Sequence, residues 1–182
     1  IAALVKKLKG NELILIPILM FIFSIGGTTY GMCEETVPFY LLLAATMVAA
    51  GFDSIVGAAV VLLGAGCGVL GSTVNPFAVG AAVDALTGVG IEVNQSIIIG
   101  LGAVLWIVTT AMSIFFVMSY AKKVKADKGS TILSMQELKD AEEAHGKAAS
   151  EVHKEVKLTG RQKGVLIAFA FPFVVMIVGF IP

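Results

Sequence analysis

The stretch Gly26-Gly-Thr-Thr-Tyr-Gly-Met-Cys-Glu-Glu-Thr36 separates two apolar runs, and it decides how the chain can fold. The flanking runs, residues 13–25 and 37–50, would each form a helix only about 20 Å long. Since a hydrocarbon core about 30 Å thick requires roughly 20 apolar residues, neither run crosses it comfortably. We therefore predict a re-entrant helical hairpin over residues 12–51 with the polar stretch at its tip, and two short complete spans remain the alternative.

A second polar stretch, Gly71-Ser-Thr-Val-Asn-Pro76, interrupts the apolar segment 54–87. Pro76 removes a backbone donor and disfavours helix at the residue before it. Residues 77–86 are too few to cross a bilayer by themselves. The sequence thus predicts one transmembrane helix over 54–87 that is broken part-way, with Asp53 as its N-terminal cap.

Two further apolar segments complete the membrane part. Residues 96–120 are long enough to span a bilayer with some tilt, and residues 164–182 predict another span. The polar segment 122–163 between them contains a capping box at 134–137 and predicts a solvated cytoplasmic linker helix. We therefore divide the chain into a membrane repeat over 1–121, the linker over 122–163, and a final transmembrane helix over 164–182 that begins the next membrane part.

Composition and charge support this division. Apolar residues make up 57% of the chain and charged residues 14%, against about 25% charged in a typical soluble domain. These proportions exclude a soluble enzyme, a disordered tail and a nucleic-acid-binding domain. All 13 Lys and Arg residues lie in the segments 6–9 and 122–163, which the positive-inside rule places in the cytoplasm. Since the chain begins with Ile1, we expect it to be a piece of a longer polypeptide.

The polar groups at the two interruptions are the candidate binding residues. Unwound backbone survives at membrane depth only where it is buried in protein or lines a cavity. Paired broken elements near the bilayer midplane are typical of secondary transporters. Ser72, Thr73 and Asn75 are therefore candidate ligands, although they would also serve simply to satisfy backbone groups freed by Pro76.

Glu34 and Glu35 are the most informative side chains of the first interruption. No Lys or Arg lies between residues 10 and 121 to neutralise them. Three alternatives remain open: a cation from the rest of the protein, protonation, or a bound cationic ligand. A fourth interpretation places the pair at a watery interface without a specific role. Adjacent side chains diverge on most backbones, so we expect only one of the two to face the site.

Two motifs resemble a known family. Residues 26–40 and 71–80 are similar to the signatures of YfcC-like proteins, which belong with the C4-dicarboxylate anaerobic carriers in the ion transporter superfamily. The resemblance implies a multi-pass protein of the bacterial inner membrane and one half of an inverted-repeat carrier. In such carriers the hairpin tip and the helix break jointly hold the substrate and the coupling ion. Carried over to this sequence, the resemblance points to Thr28, Thr29, Glu34, Glu35, Thr36, Ser72, Thr73 and Asn75.

We expect a secondary active transporter, an antiporter or a cation-coupled symporter, of a small charged metabolite. Carboxylates without basic partners favour a basic amino acid such as arginine or ornithine. A C4-dicarboxylate carrier is the first alternative, and a passive channel is the second. We expect no enzyme activity and no catalytic residue, since the membrane part contains no His and no HExxH pattern.

The expected partners follow from this hypothesis. They are the small-molecule substrate, the lipid bilayer and the second half of the same polypeptide, with a homodimer left open and no nucleic acid. The expected coupling ion is Na⁺ or H⁺, and we expect Asn75 and Ser72 to bind Na⁺ if that is the ion. We expect no other cofactor and no resident metal site.

Overall fold

The computed structural model describes residues 12–152 and 159–180, and every regular element within these ranges is helical. The expected all-α class is thereby confirmed. The helices in chain order are α1 (Leu15–Tyr30), α2 (Val37–Ala49), α3 (Ser54–Leu70), α4 (Ala81–Gly88), α5 (Gln95–Ala126), α6 (Met135–Val152) and α7 (Gly160–Phe180). Short 3₁₀ turns cover Glu12–Ile14, Glu34–Thr36 and Lys128–Ser130, and a π turn at Pro76–Gly80 leads into α4.

Helix α3 is the centre of the bundle, and it packs against α1, α2 and α5. Glycines allow the closest of these contacts. A Cβ atom built on Gly68 would lie 2.2 Å from the Ser24 carbonyl oxygen of α1, and one on Gly27 would lie 2.3 Å from the Ala65 carbonyl oxygen of α3. The backbones of α1 and α3 therefore touch directly, which explains why this segment is rich in small residues.

The apolar side chains divide into a buried core and an exposed surface. The core joins α1, α2, α3 and the C-terminal half of α5, and its fully buried members include Leu15, Ile16, Met20, Leu43, Met47, Val56 and Val60. The outward face of α5 is apolar but exposed, as at Phe115 and Phe116. By length and composition, Glu12–Tyr30 and Gln95–Ala126 can cross a membrane, whereas Ser54–Leu70 and Pro76–Gly88 are apolar but shorter.

The polar tip of the hairpin is shorter than predicted, because α1 continues through residues 26–30 to Tyr30. The segment packs directly against α3 at Gly27, where a Cβ atom would lie 2.3 Å from the Ala65 carbonyl oxygen. The helix ends at Gly31, whose φ of 79° favours glycine. The N–H groups of Gly31 and Met32 then close the helix on the carbonyls of Gly27 and Gly26, at 2.9 and 3.3 Å. The unwound tip is thus residues 31–36, and re-entry of the hairpin stays a prediction.

Helix α5 extends beyond the predicted span of 96–120 to Ala126. Two reasons are visible in its last turns. Ala121 and Val124 are buried, so packing continues past the expected end of the span. Lys123 and Lys125 also lie in the last turn, where positive charge is favourable at a helix C-terminus.

Asp53 joins three elements at one end of the bundle. It caps α3 as predicted, since its Oδ1 accepts a hydrogen bond from Val56 N at 3.0 Å. Its Oδ2 accepts hydrogen bonds from the hydroxyls of Tyr120, at 2.5 Å, and Thr131, at 2.6 Å. At the same end, Lys125 pairs with Glu12 at 2.6 Å. We call this the basal end, and it is the end that the positive-inside rule places in the cytoplasm.

Helix α6 begins with the predicted capping box. The carboxylate of Glu137 accepts hydrogen bonds from the hydroxyl of Ser134 at 2.7 Å and from its backbone N–H at 2.8 Å. These hydrogen bonds hold the pKa of Glu137 below its ordinary value. The sequence predicts a solvated linker helix here, but α6 packs against α2 and buries Leu138. The division of the chain into three domains stays a prediction.

Candidate functional site

The end of α1 and the interruption after α3 are joined by hydrogen bonds around Thr28. This side chain is buried, and its hydroxyl donates to the Gly71 carbonyl oxygen at 2.6 Å. The Thr28 carbonyl oxygen accepts from the backbone N–H of Thr73 at 2.9 Å and from the Thr73 hydroxyl at 3.2 Å. The two polar stretches that the sequence singled out therefore meet, at what we call the junction: residues 28–31 and 71–75.

The unwound segment of the junction is held closely against α5. A Cβ atom on Gly71 would lie 2.3 Å from the Trp106 backbone, and one on Gly102 would lie 2.1 Å from the Ser72 carbonyl oxygen. There is no room for side chains at either glycine. The chain can therefore leave the helical path at Gly71 and still remain packed against α5.

Asn75 restarts the helix after the interruption. Its backbone is extended, as expected before a proline, with φ −60° and ψ 115°. Its Oδ1 accepts from the N–H groups of Phe77 and Ala78 at 2.9 and 3.3 Å, and its Nδ2 donates to Ser72 Oγ at 2.9 Å. The side chain is buried, so both of its polar groups serve the geometry of the interruption.

The junction lies between the two ends of α5 rather than at either end. It contacts α5 at residues 102–106, whereas the basal end contacts α5 at Tyr120. With a rise of 1.5 Å per residue, these levels are roughly 20 to 27 Å apart along the helix axis. The start of α5 at Gln95 is about 10 to 17 Å away in the other direction. The unwound backbone is therefore far from the basal end.

The tip carries the two glutamates, and both side chains are exposed. Glu35 Oε1 accepts from the Tyr30 hydroxyl at 2.9 Å, and Oε2 accepts from Cys33 N at 3.3 Å. The Glu34 carboxylate makes no hydrogen bond or ion pair with the residues that the structure describes, whereas its backbone carbonyl accepts from Val37 N. The tip reaches the interruption at Gly31, where a Cβ atom would lie 2.7 Å from Asn75 Nδ2.

The eight predicted site residues fall into two groups. Thr28, Ser72, Thr73 and Asn75 lie at the junction and bond to one another or to its backbone. Thr29 lies in the hairpin arm of the junction without bonding to these residues, and Glu34, Glu35 and Thr36 lie on the tip. Thr29 bonds back to the Ile25 carbonyl at 2.7 Å, and buried Thr36 bonds to the Cys33 carbonyl at 2.5 Å. Within the described ranges, no group of three or more His, Cys, Asp or Glu could hold a metal ion.

Sequence reasoning missed two aromatic residues at this site. Tyr30 binds Glu35, and its ring meets the Phe77 ring edge-on with centroids 5.9 Å apart. Trp106 covers Gly71 and stacks on Phe21 at 6.0 Å. Tyr30 stands inside the first polar stretch, so its position there was the available signal. Nothing in the local spacing pairs Trp106 with Gly71, because α5 is distant in sequence.

Comparison with known proteins identifies the family to which the chain belongs. The whole chain, residues 1–182, matches the family described as C4-dicarboxylate anaerobic carrier, DcuC. Within the described ranges the regular elements are all helical, and two of the helices are long and apolar enough to cross a membrane. The chain belongs to the C4-dicarboxylate anaerobic carrier family, and the resemblance drawn from its two motifs is confirmed.

Two curated relatives are similar to the chain. One, from Escherichia coli (strain K12), is named "Putative basic amino acid antiporter YfcC" and is 38% identical over 125 residues, which cover 69% of this chain and 24% of that protein. The other, from Haemophilus influenzae, is named "Uncharacterized protein" and is 33% identical over 179 residues, which cover 97% of this chain and 33% of that protein. The chain thus spans between about a quarter and a third of these relatives. No solved structure matches.

Proposed function

We propose that the chain forms part of a secondary active transporter of a small charged metabolite, with its substrate and coupling ion at the junction and the adjoining tip. The observation that carries this proposal is the set of hydrogen bonds between Thr28 and residues 71–73. They tie the hairpin to the unwound segment, so a movement of one element must move the other. Such mechanical linkage is what alternating access requires of a site made from two elements.

Four helix ends converge near this site. Helices α1 and α3 end there, and α2 and the π turn before α4 begin there. C-terminal carbonyls favour cations, and N-terminal N–H groups favour anions. An amino acid carries both an ammonium and a carboxylate group, so this arrangement suits a zwitterionic ligand better than a purely anionic one.

The charge distribution favours a basic amino acid as the substrate. Between residues 10 and 121 there are carboxylates but no Lys or Arg, and the Glu34 carboxylate makes no ion pair with a described residue. The printed name of the Escherichia coli relative refers to basic amino acids as well. A C4-dicarboxylate is the second candidate, favoured by the family description and by the hydroxyl groups at the junction.

The proposed site contains eight residues and a coupling ion. We assign to it Thr28, Thr29, Glu34, Glu35, Thr36, Ser72, Thr73 and Asn75. Na⁺ or H⁺ is the coupling ion, with Ser72 and Asn75 at the Na⁺ position. The second half of the same polypeptide closes the site, and the protein is a multi-pass protein of the bacterial inner membrane.

Uptake of labelled arginine and labelled succinate by proteoliposomes with the full-length protein tests the proposed function. We expect arginine uptake that saturates and that depends on an imposed ion gradient or on internal counter-substrate, because a carrier must occupy its site in every cycle. Protein-free liposomes are the control. Uptake of succinate alone would contradict the cationic substrate, and flux that never saturates would contradict a carrier of either kind.

A further inference from the structure

Two polar groups on α5 beside the junction are buried and have no hydrogen-bond partner among the residues that the structure describes. They are the indole N–H of Trp106 and the hydroxyl of Thr110. We propose that these two groups form a subsite for one hydrogen-bond-accepting oxygen atom, which belongs to an enclosed water molecule or to a carboxylate of the substrate. The carboxylate alternative rests on the proposed function, whereas the water alternative does not.

Trp106 places this subsite next to the unwound segment. A Cβ atom on Gly71 would lie 2.3 Å from the Trp106 Cα atom. The indole ring stacks on the Phe21 ring of α1, with centroids 6.0 Å apart. Thr110 lies one turn further along α5 and on the same side of the helix, since residues four apart are neighbours on a helix surface, at about 5–6 Å between Cβ atoms. The two donors are therefore close enough to share one small ligand.

The hydroxyl of Thr110 differs from those of other threonines in helices. In four of them the hydroxyl donates to the carbonyl oxygen four residues earlier in the chain: Thr29, Thr46, Thr87 and Thr109. Thr110 is only 5% exposed and makes no such hydrogen bond. A buried hydroxyl without a partner is unfavourable, because it has lost its hydrogen bonds to water and gained none in return.

The burial of both atoms limits what their partner can be. A segment of the protein outside this chain cannot reach them without displacing the helices that cover them, since neither atom is open to solvent. The indole N–H can only donate a hydrogen bond, so its partner must be an acceptor and not a cation. The Thr110 hydroxyl can donate to the same atom. One oxygen atom of a small enclosed molecule or group therefore satisfies both donors.

A carboxylate is the part that the two proposed substrate classes, a basic amino acid and a C4-dicarboxylate, have in common. Neutral N–H and O–H groups bind a carboxylate through charge-assisted hydrogen bonds, which are about twice as strong as those to a neutral acceptor. The subsite would thus serve either substrate. It is also separate from the proposed Na⁺ position at Ser72 and Asn75, because the indole N–H repels a cation.

Thermal unfolding of the substrate-free, full-length protein tests for an enclosed water molecule. Thr110→Val removes the hydroxyl and nearly keeps the shape of the side chain. If water is bound there, we expect the midpoint to fall by about 1–3 °C, because the water loses a partner. If the hydroxyl has no ligand, the midpoint should rise or stay the same. Thr109→Val is the matched control and should not lower the midpoint, since the Thr109 hydroxyl bonds to the Leu105 carbonyl of its own helix at 2.8 Å.

Uptake kinetics in proteoliposomes test for the substrate carboxylate. Thr110→Val and Trp106→Phe should each raise the KM of the transported substrate, arginine or succinate, by about 10-fold, because each removes a hydrogen bond to a charged group. Thr110→Ser keeps the hydroxyl and should retain the wild-type KM. Agmatine, which is arginine without its carboxylate, should inhibit arginine uptake equally in wild type and in Thr110→Val.

The outcomes separate this inference from the proposed function. A lower midpoint identifies the oxygen as water, and a higher KM with unchanged agmatine inhibition identifies it as the substrate carboxylate. The subsite is overturned if Thr110→Val has neither effect, or if Thr110→Ser has the same effects as Thr110→Val. Equal losses of affinity for arginine and agmatine would overturn the carboxylate alternative. If wild type transports neither arginine nor succinate, the proposed function fails, and the thermal midpoints still decide whether the subsite holds water.

Discussion

Gly68→Ala is expected to separate helices α1 and α3 and to destabilise the protein severely. The new Cβ would lie 2.2 Å from the Ser24 carbonyl oxygen and 2.9 Å from Gly27 Cα, both of which are backbone atoms. Backbone cannot rotate aside as a flexible side chain does, so one helix must move. Overpacking of this kind costs about 1–3 kcal/mol where side chains adapt, and we expect a loss in free energy of unfolding of about 3 kcal/mol or more.

Gly66 provides a matched control for this prediction. It lies two residues earlier in the same helix, and a Cβ there would meet nothing within 4 Å. Gly66→Ala should leave stability unchanged or raise it by up to about 1 kcal/mol, because alanine favours helix. Thermal unfolding of the two variants in detergent makes the comparison. Equal midpoints for Gly68→Ala and Gly66→Ala would show that α1 and α3 do not touch as described.

Asp53→Ala is expected to loosen the basal end of the bundle. Loss of the helix cap costs about 1 kcal/mol, and each half-buried hydroxyl that loses its acceptor costs about 1 kcal/mol more. Two hydroxyls, those of Tyr120 and Thr131, donate to this carboxylate. We therefore expect a total loss of roughly 3 kcal/mol or more in the free energy of unfolding.

The control for Asp53 is Asp84→Ala, since Asp84 is exposed on α4. That substitution should change the free energy of unfolding by no more than about 0.5 kcal/mol. Hydrogen exchange gives a second measurement, because amide protons of residues 127–134 should exchange faster in Asp53→Ala. If the two variants unfold at the same temperature, the contacts of Asp53 do not hold the basal end together.

Short-range signals in the sequence predicted the ends of several helices correctly. Asp53 caps α3, and Ser134 with Glu137 forms the capping box of α6. Each of these signals depends on residues within about four positions of one another. The chemistry that decides them is local, so no knowledge of the packed bundle was required.

Residues 26–30 show why other boundaries could not be predicted. Glycine and threonine have low intrinsic helix propensity, so the sequence predicted that this segment belongs to the tip. The structure keeps it helical because glycine is the residue that lets α1 and α3 touch. The contact of helix α6 with α2 could not be predicted either, because it depends on tertiary packing and the sequence of α6 is polar.

The sequence predicted part of the candidate site. Two polar interruptions in apolar sequence indicated that unwound backbone must find partners within the protein, and the contacts of Thr28 with Gly71 and Thr73 supply them. The sequence alone could not tell Glu34 from Glu35. That distinction depends on the Tyr30 hydroxyl, which reaches Glu35 only because the chain reverses at Gly31.

The hairpin and the broken helix meet at Thr28 and Thr73, and the proposed site depends on this contact. The peptide hydrogen bond of 2.9 Å between them brings the two backbones within the range that a disulfide bridges. Native Cys33 and Cys67 are replaced by serine, and cysteines are introduced at positions 28 and 73 of the full-length protein. The positive control replaces only Cys33 by serine, keeps Cys67 and introduces Ser113→Cys, since Cys67 Sγ and Ser113 Oγ lie 3.0 Å apart.

Mild oxidation of native membranes, followed by mass spectrometry of linked peptides, is the measurement. The account predicts a disulfide between positions 28 and 73 as readily as between 67 and 113. A disulfide in the control pair without one between 28 and 73 would contradict it.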